Sequence, residues 1–262
     1  MKSLKAALWI EYLKVIRSKI LWISILVFAF ISFMMAVLML IAKYPELAGK
    51  SAVLSTKASF VESVDWSSFF GLLTQIILAL GTLGFGIVTA WVFGREYSDR
   101  VIKDLLALPV SRLTIVFAKF IVIFVWCVIL AFVIFITGLI AGSLIELDGW
   151  SPGNGIHWFK IYFGSALLTT LLNPLVAWVT CRGRGYLLAI TFVLLSLITT
   201  QFIFMGLPGI TPYFPWAIPA LFSGIAGPGL SDPGPFSYLI LGLAGLLGLI
   251  GTAAWWRYAD QT

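Results

Sequence analysis

A chain of 262 residues that is 61% hydrophobic and only 11% charged has too little polar surface to face water on every side, since soluble domains carry roughly 25% charged residues. Lipid must solvate most of it, which excludes a water-soluble domain as the basic plan. The net charge of +6 is explained by membrane topology and calls for no nucleic-acid partner.

The first nineteen residues, MKSLKAALWIEYLKVIRSK, read as an amphipathic helix. Glu11, Lys14 and Ser18 recur at spacings of three and four, with Lys2, Lys5, Arg17 and Lys19 adding positive charge. Trp9 and Tyr12 suit a membrane–water interface, so the helix is expected on the inner leaflet; a helical extension of the first span is the alternative. Basic residues before an apolar run also suggest a secretion signal. The run 20–42 has 23 residues, however, against about 7–15 for a signal core, and is expected to be a retained span.

Crossing ~30 Å of hydrocarbon takes about 20 helical residues. Six stretches qualify, at about 20–42, 67–93, 114–142, 160–180, 186–207 and 237–256. None alternates as barrel strands do, so an all-α integral membrane protein with a single domain over 1–262 is predicted. The third run exceeds the need; it tilts or begins with a cytoplasmic extension carrying Lys119. With a cytoplasmic N-terminus, 13 of the 17 basic residues fall on the inner side, leaving Lys43, Lys50, Lys57 and Lys160 outside. Both termini are therefore placed in the cytoplasm and the protein in the cell membrane.

Small residues recur every four positions at Thr82, Gly86, Ala90 and Gly94, and again at Ala244, Gly248 and Thr252. Such faces let helices approach closely in lipid, within one chain or between subunits. The neutral polar residues within spans are Thr74, Gln75, Thr169, Thr170, Asn173, Thr199, Thr200 and Gln201. They pack helices or line a polar path, with Gln75, Asn173 and Gln201 the candidates for the path. Pro174 breaks the fourth span after Asn173, as a hinge or a static bend. The outer segment 208–236 is rich in proline and glycine yet apolar. Residues 216–226 in it are expected to form a short helix, as a lid over a path or a shielding cap.

Several chemistries have no residues to carry them. His157 is the lone histidine and falls in an outer loop; Cys127 and Cys181 are expected as unlinked thiols; no metal-ligand spacing and no catalytic cluster occurs. No Asp or Glu sits in the middle of a predicted span, which argues against ion-coupled transport. No phosphate-cradling G-x-x-x-x-G-K-[ST] occurs, so ATP hydrolysis by this chain itself is not expected.

Between the second and third runs lies GREYSDRVIKDLLALPVSR, residues 94–112, with seven charges in nineteen positions. Tyr97, Val101, Leu105 and Leu108 form one helical stripe. Glu96 with Arg100 and Asp99 with Lys103 are acid-first i,i+4 pairs on the other face, which support a helix by ~0.2–0.5 kcal/mol each. Pro109 ends it, and Ser111 is placed to cap the next helix. A short surface helix offering an apolar stripe to membrane or to a protein groove is predicted.

This stretch resembles the signature of type-2 ABC transporter permeases, which place a Glu, a helical segment and then Leu-x-x-Pro-[Val/Leu]-Ser-Arg between spans two and three. Glu96, Leu105, Leu106, Pro109, Ser111 and Arg112 stand at matching positions, while Val101-Ile102 replaces the Gly-Thr often found there. The six-span layout also fits, and the resemblance is nearest to the small permeases of bacitracin resistance, lantibiotic immunity and copper maturation. It implies a coupling helix docking on a separate ATPase subunit through Glu96, Tyr97, Arg100, Val101, Asp104, Leu105, Leu108, Pro109 and Arg112. It also implies two ATPase copies holding ATP and Mg, no cofactor on this chain, and a second permease chain as a homodimer in membrane lipid. Export of a hydrophobic or amphipathic substrate is the expected function, and a non-transporting scaffold or force-transmitting subunit is the alternative.

Overall fold

The computed structural model describes residues 2–48, 63–99, 111–227, 230 and 232–258. Every regular element among them is helical, apart from one isolated bridge between Asp65 and Asp148. Six helical stretches are long and apolar enough to cross a membrane: Lys19–Lys43, Trp66–Ser98, Arg112–Leu144, Pro152–Gly183, Tyr186–Gly206 and Pro235–Tyr258. They fall on the six expected runs.

Helix α1 (Lys2–Ile16) is separate from α2 (Lys19–Lys43). The break comes at Ser18, whose extended backbone leaves its hydroxyl free to accept from the Leu21 N–H at 3.4 Å and cap α2. On α2, Leu21, Phe28, Ser32, Ala36 and Met39 turn inward, and the Ser32 hydroxyl donates to the Ile134 carbonyl at 3.0 Å. The opposite face, with Trp22, Leu26, Phe30 and Phe33, is exposed, as a lipid-facing surface requires.

The second span is not one regular helix. Helix α3 (Trp66–Ile76) passes through a π-helical turn at Ile77–Gly81 into α4 (Thr82–Ser98). The Asp65 carboxylate caps α3 by accepting from the Ser68 N–H at 2.7 Å. That bond holds the Asp65 carboxyl below its usual range, against the smaller upward push of burial. Helix α5 (Arg112–Leu144) has 33 residues, about 50 Å at 1.5 Å per residue. It overshoots the hydrocarbon, and Ser111 caps its start by accepting from the Thr114 N–H at 3.2 Å, as the sequence predicts.

The fourth span also breaks. Helix α6 (Pro152–Thr170) gives way to a turn at Leu171 and Leu172, and α7 (Asn173–Gly183) restarts with Pro174 in its first turn, where no donor is needed. Helices α8 (Tyr186–Gly206), α9 (Ile218–Ser223) and α10 (Pro235–Tyr258) complete the chain.

Both small-residue stripes pack within this chain. A Cβ added to Gly86 would lie 2.6 Å from the Val193 side chain, and one on Gly94 2.8 Å from Tyr186, so α4 and α8 meet along that face. Gly248 lies hard against the backbone of Pro174 and Leu175, and Gly245 against the Leu171 carbonyl, so α10 seats on the break in the fourth span. At the end away from residues 94–112, the Lys43 ammonium closes the bundle by donating to the carbonyls of Ile145 at 2.8 Å and Glu146 at 2.7 Å. Cys127 and Cys181 are buried free thiols.

Candidate functional site

Four charged side chains meet where α1, α4 and α5 converge. Lys119, two turns into α5, has no exposed surface, and its ammonium donates to Glu96 Oε1 at 2.7 Å, Glu11 Oε2 at 3.1 Å and the Val92 carbonyl at 3.1 Å. Three donors are thereby used by three acceptors. Lys14 closes the ring, donating to Glu11 Oε1 at 2.7 Å and Glu96 Oε1 at 3.0 Å. Two cations and two anions balance, which is what allows so much charge inside an apolar bundle. Burial pushes the Glu11 carboxyl up, but Lys119 and Lys14 beside it outweigh burial and hold it below the usual carboxylate range.

The charged side of α1 accordingly faces the protein. Ala7, Glu11 and Val15 are buried, whereas Trp9 and Tyr12, their rings stacked 5.6 Å apart, point outward. Glu96 is also turned inward, where the helical pattern of 94–112 puts it on the exposed face. The reason is electrostatic: a carboxylate this close to Lys119 and Lys14 gains more from them than from water.

The end of the segment is fixed too. Arg112 Nη1 donates to the carbonyls of Trp256 at 3.2 Å and Arg257 at 3.3 Å, the unpaired end of α10 that a helix dipole makes attractive to a cation. Tyr97 packs against the core beside the ring and interacts with the Cys181 thiol, which also accepts from the Trp256 indole N–H at 3.3 Å. Arg95 lies over the Trp91 ring at 4.7 Å. Of the other predicted contacts, Arg100, Val101, Asp104, Leu105, Leu108 and Pro109 lie outside the described residues.

The candidate path residues divide. Gln75 and Gln201 line one pocket of about 310 Å³, with Leu78, Thr82, Thr169, Leu172, Thr200 and Phe204 among its walls and Trp216, Pro219 and Ala220 of the segment 208–236 completing it. Asn173 is not in it; its side-chain amide donates to the Cys127 sulfur at 3.4 Å, and Pro174 begins α7. The hydroxyls of Thr74, Thr169, Thr170 and Thr200 donate to carbonyls four residues back in their own helices, so helix packing accounts for them.

The ion ring is what pattern reading missed. The available signal was Lys119 itself: a lysine within a long apolar run needs a counter-charge, and Glu11 and Glu96 are the glutamates nearest the same end of the bundle.

Residues 7–200 match the family model described as ABC-2 family transporter protein. The match takes in most of α1, the whole ion ring and the segment 94–112. The chain belongs to the ABC-2 transporter family. It is also 27% identical over 190 residues to the bacitracin transport permease protein of Bacillus licheniformis, an alignment covering 71% of this chain and 88% of that protein. No solved structure matches. As an ABC-2 permease the chain is a multi-pass membrane subunit of a transporter, not an enzyme in its own right, and membership implies association with an ABC ATPase subunit.

Proposed function

We propose that this permease is the membrane part of an exporter for hydrophobic or amphipathic molecules, driven by separate ATPase subunits that dock on residues 95–112. ATP and magnesium are held by those subunits. Two copies of the permease form a twelve-span homodimer, with both termini and the docking segment in the cytoplasm, where the 13 basic residues counted above are most stable.

One observation carries this reading: both ends of the docking segment are clamped to the bundle. Glu96 is bonded to Lys119 of α5 and Lys14 of α1, and Arg112 to the end of α10. A push on residues between these anchors is delivered at once to three helices, as a coupling element requires. A loop tethered only by its backbone would absorb the same push. Pro174 and the break before it then give the fourth span a place to bend.

Co-expression with a candidate ABC ATPase subunit, purification of the complex and transport assays in proteoliposomes test the proposal. A stable complex whose ATP hydrolysis rises with transported substrate is expected. A complex that hydrolyses ATP with no response to any amphiphile and moves none would assign the chain to the scaffold or force-transmitting class. Purification without an ATPase subunit would overturn the proposal.

A further inference from the structure

We infer that the pocket holding Gln75 and Gln201 is a binding site, within a single permease chain, for an uncharged amphiphile that pairs one apolar group with an amide, ester or hydroxyl. The inference rests on the transport reading above only in calling that amphiphile a substrate.

Two helix irregularities converge on this pocket. Leu78 and Ala79 reach it from the π-helical turn of the second span, Thr169 from just before the break of the fourth and Leu172 from the break itself. Single π turns concentrate at functional sites, because they displace side chains from the positions that regular packing dictates. Each irregularity costs backbone regularity, and both are placed around the same space.

The cover is built, not incidental. Ile218 is fully buried in a small core with Leu172 and Leu241, and Phe222 is pressed against Gly164 of α6. That packing holds Trp216, Pro219 and Ala220 over the cavity. These covering residues lie beyond position 200, outside the stretch that matches the family.

The lining defines the ligand. Among the described residues no ionisable side chain lines the pocket, so a charged head group would enter unpaired, at a large desolvation cost. The threonine hydroxyls at 82, 169 and 200 already donate within their own helices and can only accept. Among the described residues, the amides of Gln75 and Gln201 make no hydrogen bond, so both are available to a ligand. A purely apolar ligand would leave them unpaired, whereas a carbonyl or hydroxyl satisfies them while Leu78, Leu197, Phe204 and Trp216 take the apolar part. A volume of about 310 Å³ is at the low end for ligand sites. It holds one acyl segment or aromatic group, and the rest of a larger molecule extends through the open side past the exposed Gln75 and Gln201.

The test uses the full-length permease in nanodiscs, with no ATPase subunit, and a benzophenone-bearing dodecanamide as photoprobe. The adducts are mapped by mass spectrometry. Saturable labelling at Leu78, Leu197 or Trp216, displaced by excess dodecanamide but not by dodecanoate or dodecylamine, is expected. Gln75→Leu and Gln201→Leu should each weaken it by up to about tenfold, the value of one hydrogen bond. Ala220→Trp, which fills the space from the cover, should abolish it. Unsaturable labelling spread over lipid-facing residues such as Phe30 and Leu187, or displacement by the charged analogues as readily as by the amide, would overturn the site. Because no ATPase is present, the site can fail while the transport reading stands, and the reverse.

Discussion

The ammonium of Lys119 sits 2.7 Å from Glu96 Oε1, joining the first acidic residue of the charged 94–112 segment to a fully buried point of the following span. The distance along the chain is 23 residues, and Glu11 reaches the same lysine from 108 residues away. The ring makes α1, α4 and α5 one mechanical unit at the end where residues 94–112 begin.

Lys119→Met should be far more damaging than its volume suggests. It leaves Glu11 and Glu96 with one lysine between them, and breaking a buried pair from one side costs about 3–5 kcal/mol. Thermal unfolding in detergent should show a large loss. The double variant Lys119→Met, Glu96→Gln restores charge balance, with Glu11 and Lys14 still paired, and should recover most of it. Equal losses in the single and double variants would mean that packing, not charge, is what Lys119 supplies.

Acid should loosen α1 through Glu11. Its folded carboxyl titrates below the ordinary value of 4.5, so its ion pairs contribute full stability above that value. The contribution is lost as pH falls through the lower folded value, where the unfolded state takes up the proton first. Melting temperature followed from about pH 6 down to about pH 3 should drop more steeply in the wild type than in Glu11→Gln. Parallel curves would remove Glu11 from the acid response.

Two glycines of the last span should respond oppositely to alanine. A Cβ on Gly248 runs into the backbone of Pro174 and Leu175, which cannot rotate aside, so Gly248→Ala should cost about 1–3 kcal/mol. Gly242 has nothing within 4 Å of the same added atom, and Gly242→Ala should be neutral or stabilise by up to about 1 kcal/mol. Unfolding of the two variants side by side is the check. A harmless Gly248→Ala would mean that α10 does not seat on the break as described.

The spans, the Ser111 cap and the break just before Pro174 were legible because each is written in contiguous residues: apolar length, a capping hydroxyl before a run, a proline inside one. The small-residue stripes were legible as contact faces, but whether α8 and α7 or another subunit met them needed the tertiary structure. The ion ring was hidden for a different reason. Glu11, Lys14 and Glu96 each sit in a sequence whose local pattern assigns charges to water, and only their approach to Lys119 reverses that. The π-helical turn at Ile77–Gly81 leaves no mark in a run of ordinary apolar residues, so the pocket beside it could be suspected from Gln75 and Gln201 but not located.

The proposed function stands or falls on whether residues 95–112 are where an ATPase engages this permease. Photo-crosslinking amino acids placed singly at Val101, Leu105 and Leu108, in cells that co-express the ATPase, test it most directly. Crosslinks from these positions to the ATPase subunit are expected, and none from Trp150 at the other end of the bundle. ATPase captured elsewhere on the permease, with all three positions silent, would contradict it.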